Sequence, residues 1–277
     1  MNQSLIELLK CPVCGTAMHT SEDGKICRCK GARVHSYDFS KSGYLNLGGP
    51  HAGDGDSKEA ILARRLFLDA GYYEPLSNAI NGMLDQIGAS SVLDAGCGEG
   101  YYTNRMSKNG RQVLGFDLSR AGADYAARRA KQQPDSAGFL AASIFSIPVQ
   151  NASFDVITNI FAPCCEDEFT RVLKPQGYVL LVGAGESHLM GLKQAIYDNA
   201  YQNQGRADLP QMMTMEDRKR LTYEIEVVGK SHIQALFSMT PYYWRTSPKD
   251  RAKLEDLERL TTTVDFDLFL FRKDFLK

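Results

Sequence analysis

The sequence predicts an α/β fold, an open and mostly parallel sheet of the Rossmann-like type, preceded by a small N-terminal metal-binding module. Three observations predict it. The first is a glycine turn, Asp94-Ala95-Gly96-Cys97-Gly98-Glu99-Gly100, set between the apolar pair Val92-Leu93 and a helical start at Tyr101-Tyr102-Thr103. The second is the alternation of short strands and helices after it, the mark of a parallel sheet with crossovers. The third is a crowd of four cysteines in the first 29 residues, Cys11, Cys14, Cys27 and Cys29.

The 277 residues suit one core domain with a small appendage. We divide them into a metal module over 1–47, a linker and helical segment over 48–88, and a sheet-bearing domain over 89–277. No apolar run approaches the roughly 20 residues that span a bilayer. The segment Met1–Lys10 also lacks a signal-peptide core, so the expectation is a soluble, cytoplasmic protein. A formal net charge of −1 does not by itself point to a polyanion. Locally, Lys25, Arg28, Lys30, Arg33 and Lys41 face a single acid, Asp38, a hint of phosphate contact.

In chain order, Tyr44-Leu45-Asn46-Leu47 closes the module as a short strand, and the glycine-rich stretch from Gly48 to Gly55 reads as a connection. A helix then starts near Asp56, which Glu59 completes as a capping box, and stops at Gly71. Leu62 and Leu66 form its apolar face, with Arg64 and Arg65 pointing elsewhere. A second helix, opened by Pro75, carries Leu76, Ile80, Met83 or Leu84, and Ile87 at helical spacing. Strands follow at Val92–Asp94, Val113–Asp117, Phe139–Ala142, Phe154–Asn159 and Tyr178–Gly183, with a helix around Asp167–Leu173. Tyr223–Val228 and Thr262–Phe271 are β-rich and suit an antiparallel addition to the sheet. The stretch Asn203–Asp217 shows no period and is expected to border a substrate site.

Cys11-Pro12-Val13-Cys14 is a knuckle, and a second group of ligands after a short loop is the spacing of a structural zinc site. Such a segment is too short for its own core, so metal would supply its folding free energy. Cys11 and Cys14 are the firm ligands. They are joined by one of Cys27 or Cys29 and by His35. Cys97, Cys164 and Cys165 read as small buried hydrophobes.

The glycine turn lies where open α/β sheets bind ligands, at the carboxyl ends of the strands. Its spacing, Gly96-x-Gly98-x-Gly100, differs from a dinucleotide fingerprint, and Asp94 and Glu99 would repel a pyrophosphate. A ligand with an ammonium and a sulfonium would be welcome, which points to S-adenosylmethionine (SAM). Asp117 ends the next strand, where an acid accepts from both ribose hydroxyls, and it also suits a helix cap. No residue announces itself as a catalytic base. Asp56, Asn159 and Phe161 are weak candidates: Asp56 also suits a cap, and Phe161 would either stack on substrate or belong to the core.

The chain resembles the RlmA-type 23S ribosomal RNA guanine-N1 methyltransferases, class I SAM-dependent enzymes with an N-terminal zinc module. The resemblance rests on the Cys11–Cys14 knuckle, His35-Ser36-Tyr37-Asp38 and Lys41-Ser42-Gly43-Tyr44-Leu45-Asn46-Leu47. It continues through Gly55-Asp56-Ser57, the block Ala63–Gly71, Gly98–Thr103, Ala162-Pro163-Cys164, His188-Leu189-Met190, and Met239-Thr240-Pro241 with Trp244-Arg245. It implies zinc ligands at Cys11, Cys14, Cys27 and His35, with Cys29 as the alternative to Cys27. It implies SAM contacts at Tyr73, at Gly98, Glu99, Gly100, Tyr101, Tyr102 and Thr103, and at His188, beside the Asp94, Gly96 and Asp117 read from the turn. Its implied substrate is 23S rRNA, at N1 of a guanine in the hairpin 35 region (745 or 748), bound with help from the zinc module by a homodimer.

Overall fold

A computed structural model describes residues 1–49, 55–132 and 137–274. The N-terminal segment holds α1 (Gln3–Glu7) and a small antiparallel sheet of β1 (Met18–Thr20), β2 (Ile26–Cys29) and β3 (Ser36–Asp38). The chain continues through β4 (Leu45–Asn46), α2 (Lys58–Asp69), α3 (Glu74–Gln86), β5 (Ser91–Ala95), α4 (Tyr101–Met106), β6 (Gln112–Asp117) and α5 (Arg120–Ala130). Next come β7 (Gly138–Ala141), β8 (Phe154–Ile160), α6 (Glu166–Val172), β9 (Leu173–Ala184) and α7 (Met190–Ile196). The chain closes with β10 (Met213–Val228), α8 (Lys230–Ser238), α9 (Pro248–Ala252) and β11 (Arg259–Lys273).

Eight strands form the main sheet in the order β10-β11-β9-β8-β5-β6-β7-β4. β4 to β9 run parallel to their neighbours, whereas β11 is antiparallel to β9 and to β10. Strand order reverses at β5: β6 follows on one side and β8 returns on the other. That switch point opens a crevice at the carboxyl ends of the strands. Both faces are covered, as parallel strands require. Val92 packs with α2, α3 and the C-terminal helices, while Leu93 and Ala95 pack on the opposite face.

That opposite face is where the N-terminal segment sits. Leu5, Ile6, Leu9, Met18 and Cys27 share one core with Leu93 and Phe116. The backbone is tied in as well, by Lys10 N–H to Pro148 O at 3.1 Å and Gln150 N–H to Leu8 O at 2.8 Å. β4 pairs with β7 as the last strand of the main sheet. Residues 1–47 are therefore built into one face of the larger sheet. Of the glycine-rich connection, residues 50–54 lie outside the described residues.

Three local readings are corrected. The α2 cap is Ser57, whose side chain accepts from Ala60 N–H, so Asp56 is not the capping residue and is free to pair elsewhere. The buried face of α2 is Ile61, Phe67 and Leu68, while Leu62 and Leu66 stand 42% and 43% exposed. Ile61, Arg64 and Leu68 share the inward stripe at three- and four-residue spacing, which turns Arg64 into the protein. α3 buries Leu76, Ile80, Met83 and Leu84 as its period predicts. β10 starts at Met213, earlier than the β-rich signal at Tyr223, so the final part of the aperiodic stretch is strand.

Candidate active site

The switch-point crevice opens into a cleft of about 730 Å³, within the roughly 300–1,000 Å³ of small-ligand sites. Its floor is the glycine turn. Gly96 and Cys97 both donate backbone N–H groups to Phe116 O, at 2.9 and 3.0 Å, which pins the turn against the end of β6. Gly96 has φ +83°, and a Cβ there would lie 2.5 Å from the Ala162 Cβ. Only glycine satisfies both constraints. Gly100, at φ +77°, turns the chain into α4.

Asp94, Asp117 and Glu99 surround this floor. Asp94 is buried, accepting from Thr103 Oγ1 at 2.6 Å and Thr158 Oγ1 at 2.8 Å. Burial raises its pKa to about 6, against the opposing effect of those two hydroxyls. Asp117 accepts from Gly98 N–H at 2.9 Å and from Ser119 N–H at 2.8 Å, so it braces the turn and the next helix entry at once. Burial raises its pKa too. Glu99 is 2% exposed, and its Oε2 has no hydrogen-bond partner among the described residues. The Arg64 guanidinium stands 4.0 Å from that oxygen, and burial raises the Glu99 pKa against the pull of that charge.

Tyr73 and His188 form the wall opposite the turn. Tyr73 Oη lies 3.4 Å from His188 Nε2, and His188 Nδ1 accepts from Asp265 N–H at 3.2 Å. Burial lowers the His188 pKa to about 4, so the ring is neutral near pH 7. Its position comes from β11, whose Asp265 also accepts from Ser187 N–H at 2.9 Å.

The cleft is thus lined by Tyr73, Asp94, Gly96, Gly98, Glu99 and Tyr102, with Asp117 and His188. Gly100, Tyr101 and Thr103 do not line it. Gly100 serves the turn, Thr103 holds Asp94, and the Tyr101 ring lies under Arg105 and Arg129 at 5.4 and 5.9 Å. These three positions of the expected contact set stand outside the cleft lining.

Among the catalytic candidates, Asp56 lines the cleft but is ion-paired with Arg64. Asn159 is fully buried and engaged. Its Nδ2 donates to Ala95 O and Pro163 O at 3.2 and 2.9 Å, and its Oδ1 accepts from Arg206 Nη2 at 2.6 Å. It shapes the strand end and offers nothing to substrate. Phe161 is not core: it is 47% exposed, lines the cleft and holds φ +55°. Left-handed backbone at a bulky residue is strained, and here it turns the ring toward the opening.

Residue-by-residue reading of the sequence missed Arg64, Arg206 and Tyr242, all lining the cleft. Arg206 ties the aperiodic 203–212 segment to the β8 end through Asn159 and Ala162 O at 2.7 Å. Tyr242 belongs to the Met-Thr-Pro block, and its buried Oη has no partner among the described residues.

The N-terminal cysteines converge as a second constellation. Cys11, Cys14, Cys29 and His35 bring one ligand atom each within 4.8 Å of one another. Cys14 Sγ is 3.5 Å from Cys29 Sγ, and His35 Nδ1 is 3.5 Å from Cys29 Sγ and 3.6 Å from Cys11 Sγ. These separations approximate the edges of a tetrahedron with metal–ligand bonds of ~2.0–2.3 Å. The His35 N–H donates to Cys29 Sγ at 3.1 Å and, with Gly31 N–H, Cys14 and the His35 ring, lowers that thiol to about 6. Cys27, the third ligand implied by resemblance, is displaced from the group. It lies on the same face of β2 as Cys29 but two residues away, ~6.6 Å along a strand, in the apolar core. Burial, then Cys11, pushes its thiol up to about 11.

The strand order and this turn are those of the Rossmann-like class I SAM-dependent methyltransferase fold, and residues 92–177 match the methyltransferase-domain family model. Over nearly its whole length the chain is homologous to proteins named as 23S rRNA (guanine-N1)-methyltransferases. It is 25% identical to the 23S rRNA (guanine(748)-N(1))-methyltransferase of Streptomyces fradiae, over 96% of this chain and 98% of that one. A Bacillus subtilis protein with a provisional 23S rRNA (guanine-N(1)-)-methyltransferase assignment is 29% identical over 96% and 97%. The malonyl-[acyl-carrier protein] O-methyltransferase of Yersinia pestis is 34% identical, but over only 38% of this chain. The full-length relatives thus extend over the cysteine module and C-terminal half as well as the shared SAM fold.

Proposed function

We propose that this protein transfers the methyl group of SAM to N1 of a guanine in 23S rRNA. The supporting observation is an acid-lined glycine turn at the sheet's switch point in a chain whose full-length relatives carry that activity in their names. SAM fits the residues present. The acid-lined turn suits a cationic ligand, Asp117 stands where a ribose acceptor belongs, and Gly96 leaves no Cβ in the way. A small-molecule or protein substrate is less well supported, because the relatives with such a role match only the shared core.

SAM supplies an already activated methyl group, so the chain's task is alignment in a water-poor cleft. Asp94, Asp117 and the turn fix the donor. Neutral His188, held by Asp265, and Tyr73 form an uncharged wall that does not compete with the sulfonium for the acids. Phe161 and Tyr242 provide apolar ring surface for an unpaired guanine, whose pairing edge must be exposed for N1 to react. The implied target is the hairpin 35 region, at guanine 745 or 748. With that substrate the site of action is cytoplasmic, and no helix among the described residues is long and apolar enough to cross a membrane.

Zinc at Cys11, Cys14, Cys29 and His35 would staple the β2 strand and following loop that carry Arg28, Lys30 and Arg33, all exposed. Those cations suit the phosphate backbone. The family resemblance further implies a homodimer, which sedimentation analysis would test. The activity is tested by incubating the zinc-loaded protein with labelled SAM and deproteinised, unmodified 23S rRNA. Primer extension should then stop at one guanine, because N1-methylguanine cannot pair. Labelled RNA without a stop would exclude N1 as the target.

A further inference from the structure

Trp244 is the one tryptophan of the chain, and at 80% it is the most exposed large apolar side chain among the described residues. It stands in the turn Tyr242–Arg245, closed by Arg245 N–H to Tyr242 O at 3.0 Å, and Tyr242 lines the cleft. The turn is well braced. Tyr243 meets the Trp244 ring edge-on at 5.0 Å, Arg251 lies 4.6 Å over Tyr243, and Thr246 Oγ1 is 2.7 Å from Tyr197 Oη. A second exposed ring, Tyr201 at 55%, belongs to the same assembly. Lys193 Nζ lies 4.7 Å from the Tyr201 centroid and 5.9 Å from that of Tyr242, and it donates to Asn203 of the cleft wall at 2.6 Å. Phe161 follows β8, and α7, which carries Lys193, packs on β11. These rings therefore lie on the β8–β9–β11 side of the switch point, across from Asp117 on β6.

Charge on this rim is one-sided. Between residues 243 and 253 four cations, Arg245, Lys249, Arg251 and Lys253, meet one acid, Asp250. Arg251 is engaged by Tyr243 O and Thr246 O, and Lys253 by Asp198 and Asp250. Arg245 and Lys249 stand exposed beside the ring. Exposed aromatic faces set among cations suit a single strand, whose bases stack on the rings while its phosphates meet the charges. A protein partner or a second copy would call for a contiguous apolar patch, whereas these rings stand singly among polar neighbours. Reaction at N1 also creates the need for such a surface. The target guanine must leave its stack, and the nucleotides beside it then lose a stacking partner. We propose that Trp244 and Tyr201 are stacking platforms for the unpaired nucleotides next to the target guanine, with Arg245 and Lys249 on their phosphates. The proposal rests on the rRNA methyltransferase reading and adds to it the form of RNA that is recognised, a run of unpaired nucleotides.

Because Trp244 is the only tryptophan, the emission of the full-length, zinc-loaded protein reports on that ring alone. The titrant is a transcript of the 23S rRNA loop that carries the guanine mapped by primer extension, compared with the same transcript annealed to its full complement. The loop should quench the emission saturably, and the duplex should leave it unchanged. Trp244→Ala should weaken loop binding, followed by anisotropy of a labelled transcript, by about five- to a hundredfold. Trp244→Phe should restore most of that loss, and Tyr201→Ala should shift affinity in the same direction as Trp244→Ala. Arg245→Ala should lower the slope of log affinity against log salt by about 0.7, the share of one phosphate on a single strand. Calorimetric affinity for S-adenosylhomocysteine should stay within about twofold in every variant, which shows that each is folded. Three results overturn the platform while methylation stands: equal quenching by the duplex, unchanged loop affinity in Trp244→Ala, or an emission that moves to the blue as the protein alone is concentrated. The last would assign the ring to a contact with a second copy. If the wild type methylates no 23S rRNA, the rRNA methyltransferase reading fails and the platform with it.

Discussion

His188 is neutral in the folded chain because burial withholds the water that would stabilise its cation. Its pKa falls from the ordinary 6.5 to about 4. The unfolded chain therefore takes the proton first, and stability drops as pH falls through 6.5 toward 4. Between pH 7.5 and 5 this residue alone should account for a loss on the order of 2 kcal/mol. Urea titrations of wild type and His188→Gln at both pH values check it, and identical pH slopes would contradict the assignment. Cys27 and Cys29 present a different residue-scale choice. Their alternation on one strand places both thiols on the same face, so spacing alone cannot separate them. The pairing of Cys29 with Met18 and the His35 N–H donated to its sulfur bring it to Cys14. Cys29→Ser should reduce bound zinc, measured by plasma mass spectrometry, from about one ion per chain to well below half. Cys27→Ser should retain it, and the opposite ranking would restore Cys27 as the ligand.

Among the elements, the glycine turn ties sequence most tightly to chemistry. Gly96→Ala forces a left-handed backbone on alanine and drives its Cβ into Ala162. It should cost about 1–3 kcal/mol in denaturant stability and abolish measurable S-adenosylhomocysteine binding. Binding at wild-type affinity would show that the turn is not the floor of the donor site. This element was legible because glycine spacing and flanking acids report a backbone need directly. The β5–β9 strands were legible for a related reason, since parallel strands covered on both faces read as apolar runs. β10 was partly hidden. Its Glu216-Asp217-Arg218-Lys219-Arg220 run looks like loop, but it is an edge strand, and edges are guarded by charge. Arg220 and Arg218 pair there with Asp265 and Asp267 of β11. The α2 face was misread because two exposed leucines at four-residue spacing imitate a core stripe, while the inward stripe contains an arginine.

Across the whole molecule, the cysteine module and the methyltransferase fold share a core, so the segment carrying the Cys/His cluster is held against one face of the sheet. The site is also assembled from distant parts of the chain. The turn comes from β5, Arg64 from α2, His188 from the segment after β9, and Tyr242 from the segment after α8. Sequence shows each piece but not their convergence, because packing brings together residues more than a hundred positions apart. The same packing places Phe161 and Tyr242 in the cleft of the glycine turn, where the proposed guanine would be received. The most direct measurement of the central claim is chromatography with mass spectrometry of nucleosides from unmodified 23S rRNA after incubation with the protein and SAM. The account predicts one new peak at the retention time of 1-methylguanosine, absent with Gly96→Ala. A methylated nucleoside of any other identity, or none at all with a protein that binds SAM, would contradict it.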